Sequence, residues 1–383
     1  MSVLSEEQYL VSSLVYLTRL SASVQSGWRT ELARAGDKAR CVLLNYFRSL
    51  PCNNYGQSKN KIEQELDLSR WLFLESQPVD INDSNLEVVV PFWSAFYPPR
   101  LRNLVDFPFY LTVRGCISAL HTRAPVIAIV GTRRPSTEAK TLANIVARDL
   151  SRLGAIIVSG LALGIDGIAH EAVVGAEGRG LAVLGGGLDC IYPAQHGWLA
   201  KAVCSNKGVI ISEYLPQVSP RAHQFLERNR LISGLADLVV VVEAPDRSGS
   251  LNTARWAINQ GKEVAAFPDT PLKRNAAGTL SLLCEGAHLV RNAEDIWGLL
   301  PAWIFSDEHP LKSGKKGIEI PSALSVQANF LAEVLEREGK LTLDDALDIL
   351  EFTRKELLGA VRELDERGLA TLDESGQILW LAI

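Results

Sequence analysis

The chain has 383 residues, of which 47% are hydrophobic and 22% are charged, and its formal net charge is −5. This length exceeds what one hydrophobic core usually supports, so two or three domains are expected. A negative total charge gives no general attraction to nucleic acid. Any anion binding must therefore come from local clusters of basic residues.

The sequence also lacks several signals that would change the class of protein. It contains no run of about 18 apolar residues, so no membrane span is expected. The first residues, "MSVLSEEQYL", have neither the basic nor the apolar region of a secretory signal. Six cysteines occur without a Cys-x-x-Cys pair or a nearby histidine cluster, which argues against disulfides and zinc. We expect a cytoplasmic protein with reduced cysteines and no metal site.

Residues 1–90 are predicted to form a helical domain without a chemical motif. "EEQYLVSSLVYLTRL" and "CVLLNYFRSL" carry apolar residues at helical spacing, whereas "PCNNYGQSKN" is typical of a loop. The default role of such a domain is packing or interaction.

Residues 91–305 are predicted to form a Rossmann-like, doubly wound, mostly parallel α/β sheet. From Val126 onward, strands rich in Val, Ile, Leu and Ala alternate with amphipathic helices: "VIAIVG", "AIIVSG", "LAVLGG", "GVIIS", "DLVVVVEA" and "EVAAFP". The first helix is expected to begin at an N-cap, Ser136, and to stop at Gly154. Its predicted buried face consists of Leu142, Ile145, Val146, Leu150 and Leu153.

The C-terminal part is predicted to be a linker, 306–320, followed by a winged-helix-like domain, 321–383. Three short helices precede "ATLDESGQILWLAI", which is typical of a hairpin around Ser375-Gly376. The third helix mixes basic and acidic residues, which makes it a poor surface for tracking phosphates. Contact with protein is therefore at least as good an interpretation as DNA reading.

In a doubly wound sheet the ligand site lies outside the carboxyl ends of the strands, so functional residues are expected in the turns that follow them. The first, "GTRRPS", combines Gly131 with Arg133 and Arg134 beside a helix N-terminus. Free N–H groups and fork-shaped arginine donors both suit phosphate. We interpret this turn as an anion-binding site.

The second and third turns are rich in glycine. "SGLALGIDGIAH" is neither a dinucleotide fingerprint nor a P-loop, but Gly160 and Gly164 are suited to a backbone cradle. Asp166 either caps the following helix or aligns a neighbour. In "LGGGLDCIYPAQH", the consecutive glycines are suited to close approach of a phosphate or base. Tyr192 either stacks on a base or closes the core.

The fourth and fifth turns add basic residues. "SEYLPQVSPRAHQFLERNRLISG" holds Arg221, Arg228 and Arg230, with His223 and Phe225 as stacking candidates. Basic residues interleaved with aromatics are typical of a single-stranded nucleic-acid groove, although a solvated charged helix is the simpler alternative. "APDRSGSLNTARWAINQG" then places Arg247 and two serines before a helix. Two anion-binding helix starts at one edge fit a ligand with several phosphates.

Six separated motifs together resemble the DNA-processing protein A (DprA, also called Smf) family, over about residues 97–290. They are "AIVGTRRPS", "VSGLALGIDGIAH", "AVLGGGLDCIYP", "ISEY", "RNRLISGLAD" and "VVEAPDRSGSLNTARWAINQGKEV". The resemblance implies a non-enzymatic protein without a cofactor that binds single-stranded DNA. It further implies a homodimer formed through the Rossmann-like domain, which loads RecA recombinase onto DNA taken up in natural transformation.

The resemblance and the turn chemistry together give the candidate DNA-binding residues. They are Gly131, Thr132, Arg133, Arg134, Gly160, Gly164, Gly185, Gly186, Arg221, Asn229, Arg230, Arg247, Ser248, Gly249 and Ser250. Three places depart from the family pattern. Leu163 stands where an arginine is usual, Ala222–Leu226 replaces Gly-His-Phe-Pro, and Pro268-Asp269 replaces Pro-Gly.

Two other functions remain open on the sequence. The first is a nucleotide or nucleoside-phosphate hydrolase of the Rossmann-like type, which needs a carboxylate against the ribose, such as Asp166, Asp189 or Glu243. Such enzymes carry a Pro-Gly-Gly-x-Gly-Thr turn and a following glutamate, where this chain has "APDRSGSLNTA". The second is an interaction scaffold with a vestigial site, which would show no salt-sensitive DNA binding.

Overall fold

A computed structural model describes residues 14, 22–35, 72–73, 80, 82–301, 304, 326–338, 340–350, 353–366, 370–372 and 377–380. The helices predicted around residues 6–20 and 41–50 lie outside this range except for Leu14, as do the loop at 51–60 and the linker at 306–320. The chain divides into two compact units. One comprises Met1–Glu75 with Asn82–Leu300, and the other comprises Ser76–Ile81 with Pro301–Ile383.

The first unit is built on a ten-stranded sheet. Its strands are β1 (Leu72–Phe73), β2 (Glu87–Pro91), β3 (Tyr110–Gly115), β4 (Val126–Val130), β5 (Ile156–Ser159), β6 (Gly180–Leu184), β7 (Val209–Ser212), β8 (Leu238–Val241), β9 (Glu263–Ala266) and β10 (His288–Leu289). Their order is β1-β2-β3-β7-β6-β5-β4-β8-β9-β10. Strands β4 to β10 pair in parallel, whereas β3 runs antiparallel to β2 and β7.

The Rossmann-like fold class is confirmed. Each of the six predicted strands forms, and β4 to β8 are buried along their whole length. Continuous burial explains why these strands lack polar alternation, since helices cover both faces of a parallel sheet. β2 crosses the domain boundary predicted between residues 90 and 91, and that boundary stays a prediction.

The helices of this unit are α1 (Ala22–Ala35), α2 (Pro99–Arg102), α3 (Thr137–Arg152), α4 (Ile165–Gly175), α5 (Gly197–Ser205), α6 (Ala222–Leu235), α7 (Gly249–Asn259), α8 (Ala277–Cys284) and α9 (Ala293–Gly298). From β4 the chain winds outward through β5, β6 and β7, then returns to place β8 on the other side of β4. This reversal of winding creates a crevice outside the carboxyl ends of β4 and β8, where such folds bind ligands.

Helix α3 confirms its predicted cap and corrects its predicted face. The Ser136 hydroxyl accepts a hydrogen bond from the Ala139 N–H, and the helix ends at Arg152, just before Gly154. The buried residues are Ala139, Ala143, Val146, Ala147 and Leu150. Ile145 and Leu153, predicted to be buried, are 41% and 48% exposed. The helix packs against α4, and alanines on the inner face permit the close approach.

The second unit contains α10 (Val326–Glu338), β11 (Lys340–Thr342), α11 (Leu343–Leu350), α12 (Arg354–Glu366), β12 (Ala370–Leu372) and β13 (Gln377–Trp380). The strands form an antiparallel sheet in the order β11-β13-β12, and leucines of α10 and α12 pack on Ile378. β12 and β13 pair as the predicted hairpin requires, while Ser375-Gly376 lies outside the described residues. The winged-helix interpretation stays a prediction.

Among the described residues, every helix is too short or too polar to span a lipid bilayer.

Candidate nucleic-acid interface

A cleft of about 310 Å³ lies at the crevice between β4 and β8. The turn after β4, the turn after β8 and one face of α6 meet in it. Its lining includes Thr132, Arg133, Asp166, Phe225, Arg228, Asn229, Arg247, Ser248, Gly249 and Ser250. The structure therefore brings together the first, second, fourth and fifth sequence motifs.

The turn after β4 is held in place by backbone hydrogen bonds. The Thr132 N–H donates to the Glu243 carbonyl oxygen at 2.7 Å, and the Thr132 hydroxyl accepts from the Arg134 N–H at 3.2 Å. A Cβ at Gly131 would lie 2.6 Å from Cγ1 of Ile165, so the turn packs directly on α4. This fixed backbone presents the exposed side chains of Arg133 and Arg134.

Glycines of the second turn allow the same close packing. Gly164 precedes α4 with φ of +79°, and a Cβ there would overlap the Thr132 carbonyl and lie 2.7 Å from Cα of Arg133. Gly160 has no room for a Cβ because the Arg228 guanidinium lies within 2.6 Å of its position. Both glycines shape the cleft wall by letting an arginine-bearing segment approach.

Arg228 lines the cleft, although it is not among the candidate DNA-binding residues selected from the sequence. Its Nη1 donates to the carbonyl oxygens of Gly160, at 2.8 Å, and Val183, so it joins the ends of β5 and β6. Burial lowers the pKa of Arg228 to about 10, and Asp166 opposes the shift, so the guanidinium stays charged at neutral pH. It places a fixed positive charge in the lining of the cleft.

An aromatic surface accompanies these charges. The Phe225 ring lies 5.3 Å from the Arg133 guanidinium carbon and 5.9 Å from that of Arg228. The exposed Tyr192 ring lies 5.5 Å from Phe225. Arginines next to aromatic rings are suited to binding a nucleic-acid strand, because the cations attract phosphates and the rings stack on bases.

The turn after β8 supplies the opposite wall. Ser248 caps α7 by accepting from the Ser250 N–H at 3.3 Å, and the exposed Arg247 precedes it. The Asn229 amide donates to the Gly249 carbonyl oxygen at 3.1 Å, which ties α6 to the start of α7. The predicted residues of this turn therefore lie in the cleft with Asn229.

Arg230 is engaged by acidic residues of the same chain. It is 7% exposed, and its Nη2 lies 2.7 Å from both carboxylate oxygens of Glu213, while its Nε lies 2.9 Å from Asp106. Arg230 is not part of the cleft lining and forms a structural ion pair with these partners, so its contact with DNA stays a prediction.

Three further predicted residues lie outside the cleft. A Cβ at Gly185 would be 2.8 Å from Cδ1 of Phe225, and one at Gly186 would be 2.9 Å from Cβ of Pro220. These two glycines therefore accommodate Phe225 of α6 and Pro220 of the preceding segment, and their contact with DNA stays a prediction. Arg221 is exposed at the start of α6, where its N–H donates to the Gln224 side chain. Its contact with DNA stays a prediction.

Each carboxylate considered for a hydrolase has a partner within the chain. Asp166 lines the cleft, accepts from the Gly160 N–H at 3.2 Å, and has a pKa raised by burial against the opposing charge of Arg228. Glu243 lies behind the turn and accepts from the Ser136 N–H at 2.9 Å. Asp189 pairs with Arg114 of β3 at 2.8 Å. Asp166 alone of the three lines the cleft.

The fold and this cleft define a Rossmann-like protein with a basic, aromatic-flanked site at its topological switch point. The family model described as DNA recombination-mediator protein A matches residues 88–301. The chain belongs to this family.

Named relatives agree with this assignment. Protein Smf of Synechocystis sp. is 35% identical over 84% of this chain and 82% of its own length. Protein Smf of Escherichia coli is 42% identical over 54% of this chain, and that match spans 55% of the relative. The X-ray structure of DNA processing protein A from Streptococcus pneumoniae has a TM-score of 0.55 and 28% identity, covering 78% of this chain and 94% of that one.

Proposed function

We propose that the protein binds single-stranded DNA across the cleft between β4 and β8. The observation that carries this is the arrangement around Phe225, whose ring lies within 6 Å of the guanidinium groups of Arg133 and Arg228 and next to a second aromatic ring, Tyr192. Arg133 and Arg134 bind backbone phosphates, with Arg247 and the N-terminus of α7 on the opposite wall. Bases lie against Phe225 and Tyr192.

Family membership supports a more specific role. In this proposal the protein is a cytoplasmic recombination mediator that protects incoming single-stranded DNA and loads RecA recombinase during natural transformation. It acts as a homodimer through its Rossmann-like domain. It does so without enzymatic chemistry and without a cofactor. The contacts within the chain that already engage Asp166, Asp189 and Glu243 support that part of the proposal.

Fluorescence anisotropy with a labelled oligothymidine, compared with a duplex across a salt series, tests the DNA proposal. Arg133→Ala/Arg134→Ala is the test variant. Arg148→Ala/Arg152→Ala is the matched control, since it removes two charges from the far end of α3, where both pair with Asp149.

The wild type and the control should prefer the single strand, and the test variant should lose affinity more than about tenfold. Its slope of log affinity against log salt should fall by about 1.4, because two phosphate contacts on a single strand are lost. Equal binding by the test and control variants, or no binding by the wild type at low salt, would overturn the proposal.

A further inference from the structure

A second cleft, of about 500 Å³, lies directly beside the first. It is bounded by the turn after β4, the start of α4 and the segment before α5. Arg133 lines both clefts, so it forms the wall between them. If Arg133 holds one phosphate of a DNA strand, the nucleotides on the two sides of that phosphate lie at the two clefts, one at each.

The lining of the second cleft differs from that of a phosphate site. Leu163, Ile168 and Pro135 give it an apolar part, and Leu163 is 36% exposed there. The carboxylate of Glu171 also lines it, and a carboxylate repels a phosphate. The positive charges, Arg133, Arg134 and Lys140, all lie on the segment that leads from the turn after β4 into α3.

A polar edge completes the cleft. His196 is 7% exposed and its Nδ1 lies 2.8 Å from the Leu161 carbonyl oxygen, so Nδ1 carries the proton of the neutral ring. Nε2 is then a hydrogen-bond acceptor, and it has no hydrogen-bond partner within the part of the chain that the structure describes. Gln195, the residue before His196, also lines the cleft and carries a side-chain amide. An apolar wall with a fixed acceptor and an amide is suited to a planar base with a polar edge.

We infer that the second cleft takes one nucleobase of the bound strand, with Leu163 against its face and His196 and Gln195 at its edge. Arg133 and Arg134 hold the adjoining phosphates. This inference rests on the proposed function and adds a base subsite to it. It also gives a role to Leu163, which stands where the family resemblance predicts an arginine.

The test compares an oligothymidine with an oligonucleotide of equal length made of abasic nucleotides, by anisotropy across a salt series. Leu163→Ser is the test variant. Leu153→Ser is the control, since this leucine at the far end of α3 is 48% exposed, somewhat more than Leu163. Neither substitution changes the charge of the protein, so a lost base contact is separated from a lost phosphate contact.

Leu163→Ser should weaken oligothymidine binding about fivefold, which corresponds to about 1 kcal/mol, with an unchanged salt slope. Its affinity for the abasic strand should equal that of Leu153→Ser. Equal affinities of the two variants for oligothymidine would overturn the inference and leave the DNA proposal standing. An equal loss on both strands would also overturn it, because the cleft would then hold backbone. Failure of the wild type to bind either strand would instead remove the proposed function.

Discussion

At the scale of single residues, the basic stretch in α6 predicts that arginines lie near the cleft, but it does not show which of them line it. Phe225, Arg228, Asn229 and Ile232 all line the cleft, and their spacing of three, four and seven residues places them on one helix face. Arg230 is two positions from Arg228, so the two side chains lie on nearly opposite sides of the helix. Counting helical spacing from Phe225 would have placed Arg228 on the face of α6 that lines the cleft and Arg230 on the opposite face.

Arg230→Gln should reduce the free energy of unfolding by about 3 kcal/mol, because it leaves the largely buried Glu213 carboxylate without its main partner. The double variant Arg230→Gln/Glu213→Gln should be more stable than Arg230→Gln alone. Chemical denaturation of the wild type, both single variants and the double variant gives the coupling energy. A single variant as stable as the wild type would show that Arg230 is not a structural ion pair.

At the scale of elements, the strands were predictable from sequence and the detailed packing of the helices was not. Strands buried on both faces leave unbroken runs of Val, Ile, Leu and Ala, and these runs match β4 to β8. Val146 and Leu150 of the predicted face of α3 are buried, but Ile145 and Leu153 are not, because the pattern gave weight to large aliphatic residues. The structure instead uses Ala139, Ala143 and Ala147 to bring the helix close to its neighbours.

Glycines show the same limit. A run of glycines after a β-strand indicates that another group approaches the backbone closely, but the sequence does not show whether that group is a ligand or another part of the chain. For Gly185 and Gly186 the approaching groups are Phe225 and Pro220 of the same chain. Only the three-dimensional arrangement separates this from room for a ligand.

Gly164→Ala should destabilise the protein by about 1–3 kcal/mol and weaken single-strand binding, because its backbone has φ of +79° and a Cβ would push against the Arg133 turn. Gly175→Ala, in the last turn of the same helix, has open space and should raise stability by up to about 1 kcal/mol. Denaturation and anisotropy on both variants check this. If Gly164→Ala matches the wild type in both assays, Gly164 does not hold the turn.

At the scale of the whole molecule, strand order assembles the site. The turns after β4 and β8 are over 100 residues apart in sequence and become neighbours because β8 returns to the side of β4. The doubly wound pattern predicted that functional turns share an edge, but not which two would face each other. The antiparallel strands β2 and β3 were also missed, since they precede the regular alternation from which the sheet was predicted.

The same assembly explains how a protein with a net charge of −5 presents a basic surface. Arg133 and Arg228 approach one ring, and Arg247 faces them across the cleft, while acidic residues such as Glu213 and Asp106 pair with Arg230 elsewhere. The central claim is therefore about location, that one cleft of the first unit holds the strand.

The most direct test is photocrosslinking with an oligothymidine that carries a single 5-iodouracil, followed by peptide mapping by mass spectrometry. Crosslinks should fall on Phe225 or Tyr192, the aromatic rings at the cleft, and should be lost in Arg133→Ala/Arg134→Ala at the same DNA concentration. Crosslinks confined to the second unit, at residues 326–380, with none at the cleft while the strand is bound, would contradict the account.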